Sequence, residues 1–193
     1  NNANAFICHS PQSKADIENY TTQPVYQARI PFLFEERNSR KSNVTGQQNK
    51  YALVVGSLQK LKGPEVLCEA LSGRDINSDL SICWIGSDNY QQNKGVLMSD
   101  DLAARYPNEW GSSIRWEKYA TDDELFALYE GASFIIIPSL SESFNVISIE
   151  AAFHAKPVIV TQKTGSSFLF THKKDAWIIN ENDPAELLKA IQE

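Results

Sequence analysis

Cysteine, methionine and long apolar runs are all scarce in this sequence. The three cysteines, Cys8, Cys68 and Cys83, are far apart and form neither a CxxC pair nor a Cys/His spacing, which argues against a disulfide framework and a zinc site. A reducing cytoplasm is therefore the expected compartment. No apolar run reaches membrane-spanning length, and no basic start precedes an apolar signal segment. The only methionine is Met98, so we expect a numbering that begins at Asn1 to mark a fragment of a longer chain.

Positive charge is also in deficit. The formal net charge is −6 and the pI is about 5.1, which makes a nucleic-acid partner unfavourable but leaves room for a local basic pocket that takes one diphosphate. No G-x-G-x-x-G follows any predicted strand, which argues against a dinucleotide-binding oxidoreductase. The three histidines have no metal-like spacing, so we expect no metal site.

Hydrophobic residues make up 42% of the 193 positions, enough for one packed domain with a short appendage. From residue 51 onward, six apolar segments alternate with helical or loop segments, which predicts an α/β fold with a doubly wound, Rossmann-like parallel sheet. Helix start signals occur at Pro64, Thr121 and Asp183, and a further helix is expected near Asp101 to Arg105. The predicted strands are Tyr51–Val55, Ile82–Ile85, Ile114–Trp116, Phe134–Ile137, Val158–Val160 and Trp177–Ile179.

The first 50 residues have a different pattern. A short strand is expected at Ala5–Cys8, followed by a helix capped at Ser10, and the apolar segment Gln27–Phe34 is either an edge strand or a packed connector. Residues 35–50 are polar without apolar periodicity, which is typical of a flexible crossing between domains. We therefore predict a boundary near residue 50, with residues 1–50 before it and 51–193 after it.

The stretch from Ser133 to Thr161 predicts a strand, a loop, a helix and a second strand. The buried run Phe134–Ile137 ends at Pro138, which cannot continue a central strand, and a serine-rich turn follows. Val146, Ile149 and Phe153 then recur at helical spacing, before Val158 begins the next strand. A parallel pair with a right-handed crossover is implied.

That unit contains two carboxylate side chains, Glu142 in the loop and Glu150 in the helix. Glu150 shares a face with Val146, Ile149 and Phe153, so we expect its side chain to point where the apolar side chains point. A carboxylate placed there needs donors, which ligand hydroxyl groups can supply. The loop before the helix lies at the sheet edge where open α/β folds bind phosphates.

A second candidate loop follows the first predicted strand of the sheet. Gly56 permits close approach of the backbone, and Lys62 can pair with a diphosphate before the helix begins at Pro64. Taken alone, this pattern fits a solvated lysine in an ordinary loop better than a phosphate site. Lys60 is a second lysine of the same loop.

The residues from Glu142 to Glu150 are similar to the E-x7-E signature of retaining glycosyltransferases. The surrounding IIIPSLSESFNVISIEAAFHAKPVIVT resembles the nucleotide-sugar half of the group 1 (family 4) enzymes with the GT-B fold, and the likeness covers residues 50 to 192. The segment from Gly56 to Gly63 resembles the G-R-L-x-x-x-K-G of that family, with Ser57 where the family has arginine. The family loop reads E-G-F-G, and Ser143 and Asn145 replace its two glycines.

The resemblance implies a role for each matching position. Glu142 is the catalytic candidate and would contact the transferred sugar, while Glu150 would hold the ribose hydroxyls of the donor. Lys62 would bind the donor phosphates, and backbone amides of the loop would contact the diphosphate and the sugar. The implied donor-binding residues are Gly56, Ser57, Lys62, Ser143, Phe144, Asn145, Val146 and Glu150.

The implied function is the donor-binding half of a retaining glycosyltransferase. It would transfer a sugar from a UDP- or GDP-sugar to an acceptor sugar, lipid or protein held by a missing N-terminal domain, without a further cofactor or a metal. The fragment alone is expected to bind donor but hardly turn over. The alternative is a non-catalytic homologue that acts as a nucleotide-sugar-binding or scaffold module, which Ser57 and the altered loop favour. Tyr119 would either line the base or simply pack.

Overall fold

The computed structural model describes residues 3–31, 50–73, 80–91 and 94–193. The chain divides into two compact units, Asn1–Gln48 and Asn49–Glu193. The first contains the parallel strands β1 (Phe6–Cys8) and β2 (Val25–Gln27), with helix α1 (Pro11–Glu18) between them in the chain. As predicted, Ser10 caps α1, because its hydroxyl accepts a hydrogen bond from the Ser13 N–H at 3.1 Å.

The edge-strand alternative for Gln27–Phe34 is wrong for residues 28–31, whereas the connector alternative stays a prediction. The strand is Val25–Gln27, because Phe6 to Cys8 pair with those three residues, and residues 28–31 form no regular element. The rest of that segment and the predicted crossing up to residue 49 lie outside the described residues.

The second unit is built on a single six-stranded sheet with all neighbouring strands parallel, in the order β10-β9-β8-β3-β4-β7. Its elements in chain order are β3 (Lys50–Val55), α2 (Pro64–Leu71), β4 (Leu80–Ile85), β5 (Tyr90–Gln91), β6 (Val96–Leu97), α3 (Met98–Arg105), β7 (Ile114–Glu117), α4 (Asp122–Gly131), β8 (Phe134–Ile137), α5 (Ile147–Phe153), β9 (Val158–Thr161), β10 (Trp177–Ile179) and α6 (Pro184–Gln192).

The six predicted strands of the sheet are all present, each with ends within two residues of the prediction. The doubly wound parallel sheet is therefore confirmed. The sequence did not predict the small antiparallel pair of β5 and β6, and α3 begins at Met98 rather than near Asp101. No helix of the described residues is long and apolar enough to cross a membrane.

The sheet has a hydrophobic layer on each face because side chains alternate along its strands. Ala52 and Val54 pack with α2, α3 and α6 on one face, whereas Leu53 packs on the other with Tyr129 and Ala151 from α4 and α5. Helices thus cover both faces, and the loops at the carboxyl ends of the strands form the edge at which open α/β folds bind ligands.

The helix starts predicted at Thr121 and Asp183 are capped by hydrogen bonds to those side chains. Thr121 and Glu124 form a reciprocal capping box at α4, with the Thr121 N–H donating to the Glu124 carboxylate at 2.7 Å. The Asp183 side chain accepts from the Glu186 N–H at 2.9 Å, one residue before Pro184 opens α6.

Candidate functional site

Three loops meet at the carboxyl edge of the sheet because β3, β8 and β9 are neighbours there. The loops comprise residues 56–63, 138–146 and 162–169, and we call them the lysine loop, the serine loop and the glycine loop. Backbone hydrogen bonds join them: Leu140 donates to Leu61 at 2.8 Å, Glu142 donates to Lys163 at 3.0 Å, and Gly165 donates to Glu142 at 2.8 Å. The three loops therefore form one connected surface.

Gly63 determines how closely the lysine loop approaches β8. Its φ is +72°, and an added Cβ would lie 2.0 Å from the carbonyl oxygen of Pro138. Only glycine fits such a contact, since any side chain would overlap that backbone. Gly86, after β4, likewise approaches Gly56, with an added Cβ 2.1 Å from the Gly56 oxygen.

Lys62 and Glu142 form an ion pair between the lysine and serine loops. Both are shielded from solvent, with 21% of the lysine side chain and 17% of the glutamate side chain exposed. The lysine stem passes over Gly56, where an added Cβ would meet Lys62 Cδ at 3.7 Å. The structure thus brings Gly56, Lys62 and Glu142 together, although they come from loops that follow different strands.

The second oxygen of Glu142 has two further donors in the serine loop. Oε2 accepts from the Ser139 hydroxyl at 3.0 Å and from the Asn145 side-chain amide at 2.8 Å. Asn145 is 8% exposed and has a φ of 86°, a left-handed conformation that asparagine tolerates better than most residues. Its carboxamide oxygen accepts from the Ser148 N–H at 3.3 Å. Asn145 therefore links the carboxylate to the start of α5.

Glu150 is held by a residue that sequence reasoning missed. The Tyr129 hydroxyl donates to Glu150 Oε2 at 2.7 Å, and the Tyr129 side chain is only 2% exposed. Burial, together with the nearby Glu150 charge, raises the pKa of Tyr129 well above its ordinary value, so the phenol remains a donor. The one available signal was that a tyrosine on a buried helix face needs a partner for its hydroxyl.

The predicted orientation of α5 was wrong. Ser148 and Ala151 are its buried residues, whereas Val146 is 39% and Phe153 is 42% exposed. The helix is short and lies against β8 and β9, where its small residues are buried and Ile147 packs against the core. Glu150 is half-buried and accepts a hydrogen bond from Tyr129.

The remaining predicted site residues differ in how far they are exposed to solvent. Ser57 is half-buried beside Gly56, Ser143 is exposed, and Phe144 is buried with its ring edge-on to Phe168. Lys60 is exposed, so the loop's second lysine does not replace the missing arginine. Tyr119 is 76% exposed, and the packing alternative for it is therefore wrong.

An open groove of about 950 Å³ lies at the opposite edge of the sheet, where β8, β9 and β10 begin. Phe134, Val158 and Trp177 line it together with the last turn of α6. It contains none of the residues of the three loops except Leu169. Across the described ranges, no cluster of three or more His, Cys, Asp or Glu residues is arranged to hold a metal ion.

The second unit matches a known family over its full length. The family described as "Glycosyl transferases group 1" covers residues 49–193. The chain belongs to the group 1 glycosyl transferases. Three quarters of the chain lie within the match, and the serine loop and α5, with Glu142 and Glu150, lie inside it.

Curated proteins that this chain resembles include two D-inositol 3-phosphate glycosyltransferases. The enzyme of Pseudarthrobacter chlorophenolicus is 28% identical over 151 residues, which is 74% of this chain and 33% of that protein. The enzyme of Corynebacterium urealyticum is 30% identical over 144 residues, which is 71% of this chain and 32% of that protein. The chain therefore matches about a third of the length of these relatives.

Solved GT-B glycosyltransferases share the fold. Anabaena HepE, solved in complex with UDP and glucose, matches with a TM-score of 0.79 at 17% identity, over 98% of this chain and 53% of that one. Sucrose-phosphate synthase of Thermosynechococcus elongatus matches with a TM-score of 0.79 at 21% identity, over 99% of this chain and 49% of that one. At these identities the likeness establishes the architecture alone.

Proposed function

We propose that this chain is the donor-binding, C-terminal half of a retaining glycosyltransferase. Residues 1–50 would then be a remnant of the preceding domain with its linker, and residues 51–193 the nucleotide-sugar domain. The observation that carries the proposal is the pairing of Lys62 with Glu142, which are 80 positions apart, at the sheet edge where α/β folds bind phosphates. The two residues of the E-x7-E spacing flank the start of α5.

Each charged residue has a separate task in this proposal. Lys62 binds the diphosphate of a UDP- or GDP-sugar, Glu150 accepts from the ribose hydroxyls, and Glu142 contacts the sugar. The bond between the anomeric carbon and the diphosphate breaks with its electron pair on the diphosphate. A bond to an acceptor hydroxyl oxygen forms on the same face, and the hydroxyl proton passes to an oxygen of the leaving diphosphate. Lys62 stabilises the charge that develops on the leaving group, and tight positioning supplies the rest of the rate enhancement.

The acceptor is assigned to the part of the protein outside this chain. Matching relatives are about three times as long as the segment they share with it. The acceptor would be a sugar, a lipid or a protein, and the UDP and glucose of the HepE structure support a nucleotide sugar as donor. The isolated chain is expected to bind donor with little turnover.

The test is a panel of UDP- and GDP-sugars, measured by thermal shift and calorimetry on the intact protein. A ligand that binds only the folded state raises the melting temperature, so a true donor is expected to stand out from the panel. Glu142→Ala and Glu150→Ala are expected to abolish transfer. The proposal fails if the intact protein binds no member of the panel and both variants retain full activity.

One observation favours a second candidate, a non-catalytic binding module. Ser57 occupies the position of the family arginine, and Lys60 is exposed rather than turned inward. Of the two lysines of this loop, only Lys62 is then paired within the site. Binding of nucleotide sugar without any transfer by the intact protein would favour this candidate.

A further inference from the structure

Asn145 is more than a residue that tolerates an unusual backbone. Asn145 stands where the family loop has glycine. Its φ is 86°, a conformation that glycine would adopt at least as readily. The backbone alone therefore gives no reason for an asparagine. Its side chain, in contrast, is buried and bonded at both ends of its carboxamide.

Those two bonds connect the carboxylate to the helix. The amide nitrogen donates to Glu142 Oε2 at 2.8 Å, and the amide oxygen accepts from the Ser148 N–H at 3.3 Å. The Ser148 hydroxyl in turn donates to the Asn145 carbonyl oxygen at 3.0 Å, which fixes the same turn from the backbone side. A side chain with a donor at one end and an acceptor at the other is needed to make both contacts.

We propose that Asn145 is a positioning residue that ties the Glu142 carboxylate to the first turn of α5 and so sets its direction toward the donor sugar. The inference rests on the proposed function, since it assumes that Glu142 contacts the sugar. The Ser139 hydroxyl and Lys62 hold the same carboxylate from other sides. Asn145 connects it to the element that also carries Glu150.

The experiment compares three variants of the intact protein. Asn145→Gly keeps the left-handed backbone and removes the side chain. Asn145→Asp keeps the acceptor for Ser148 but replaces the amide donor. Asn182→Gly is the matched control, because Asn182 also has a positive φ, 55°, and is an exposed residue between β10 and α6.

The readout is the ratio of affinity for a nucleotide sugar to affinity for the corresponding nucleoside diphosphate. The probes are UDP-glucose with UDP and GDP-mannose with GDP. Asn145→Gly is expected to lower this ratio about tenfold, the size expected for one lost hydrogen bond to a charged group. Asn182→Gly is expected to leave the ratio unchanged, and the melting temperatures of both glycine variants are measured so that a loss of stability is not taken for a loss of sugar recognition.

Asn145→Asp adds a second measurement, the pH dependence of the affinity ratio, which a purely structural role for Asn145 would leave unchanged. Two adjacent carboxyl groups share a site poorly, so one of them acquires a raised pKa and, once protonated, becomes a donor again. The affinity ratio of this variant is therefore expected to recover as the pH falls from 8 to 5.5, while that of Asn145→Gly stays low. Should Asn145→Gly fail to fold, this recovery carries the test.

Two outcomes overturn the inference separately from the proposed function. An unchanged ratio in Asn145→Gly means that Glu142 keeps its direction without the amide. An Asn145→Asp ratio that does not respond to pH means that the donor is not what matters. If the wild-type protein binds none of the four probes, the proposed function itself fails and the inference with it.

Discussion

The ammonium group of Lys62 is paired with the carboxylate of Glu142, so the two charges neutralise each other. The proposed function gives these two residues different tasks, one at the diphosphate and one at the sugar. A diphosphate that enters the site must therefore compete with Glu142 for Lys62. Since both side chains are about four-fifths shielded, the competition takes place with little screening by solvent.

Glu142→Gln is expected to strengthen the binding of UDP or GDP about tenfold while it abolishes sugar transfer. The neutral side chain no longer occupies Lys62, but it also no longer offers the sugar a carboxylate. Lys62→Ala is expected to weaken diphosphate binding by about tenfold or more, since a hydrogen bond to a charged group is worth roughly 1.5–3 kcal/mol. Calorimetry of the intact variants measures both effects.

The control for this pair is Lys60→Ala, which removes an exposed lysine from the same loop. It is expected to bind as the wild-type protein does. Equal or weaker UDP and GDP binding by Glu142→Gln would show that the ion pair does not compete with the ligand.

Glu150→Gln is expected to reduce the preference of the site for UDP over 2′-deoxy-UDP about tenfold. The carboxylate is the proposed acceptor for the ribose hydroxyls, and an amide accepts more weakly. Tyr129→Phe is expected to reduce the same preference by a smaller factor, because Glu150 loses its donor. The comparison uses GDP and 2′-deoxy-GDP if the protein is specific for guanine.

The matched control for Tyr129→Phe is Tyr106→Phe. The Tyr106 hydroxyl also donates to a glutamate, Glu69, at 2.9 Å, but that pair is exposed and lies on α2 and the end of α3. Loss of the ribose preference in both tyrosine variants, or in neither, would contradict the assignment of Glu150.

The buried phenol of Tyr129 is expected to make folding stability depend on alkaline pH. Its pKa is raised in the folded state, so the folded protein favours the neutral phenol. The resulting contribution to the free energy of unfolding is fully present below pH 10.0, the pKa of tyrosine in the unfolded chain. Above pH 10 it is lost at up to about 1.4 kcal/mol per pH unit. In urea unfolding at pH 9, 10 and 11, the free energy of unfolding is expected to fall less steeply with pH for Tyr129→Phe than for the wild-type protein. Equal slopes for the two proteins would contradict this account.

Gly63→Ala is expected to destabilise the protein far more than Gly73→Ala. Both glycines have positive φ, +72° and +66°, so each substitution costs about 1 kcal/mol of backbone strain. At Gly63 the added Cβ also lies 2.0 Å from the Pro138 oxygen, whereas nothing lies within 4 Å at Gly73. Chemical denaturation measures the difference, and equal losses would mean that the close approach to β8 can relax.

The sheet was predictable because it depends on local patterns. Buried runs such as Phe134–Ile137, with proline just after the last residue, define parallel strands without knowledge of their neighbours. The short pair of β5 and β6 was not predictable, since each strand has only two residues and Val96 and Leu97 are exposed.

The sequence supplied candidate residues for a site, but not the geometry that joins them. Lys62 and Glu142 were both candidates, but their pairing depends on β3 lying beside β8, and no local pattern encodes that adjacency. The predicted orientation of α5 was wrong because the spacing of Val146 and Phe153 suggested an apolar face turned toward the core, whereas both are exposed. The sequence cannot show that Tyr129, on a different helix, supplies the partner of Glu150.

The parallel pairing of β3 with β8 also determines when the site can first exist during synthesis. Ala52 and Leu53 pair with Phe134 and Ile135, and more than half of the second unit is translated between those two segments. A nascent polypeptide that has emerged only as far as α4 contains Lys62 but lacks both Glu142 and Glu150. In the proposed function, nucleotide binding would therefore follow the emergence of α5 from the ribosome, and a bound nucleotide would assist no earlier stage of folding.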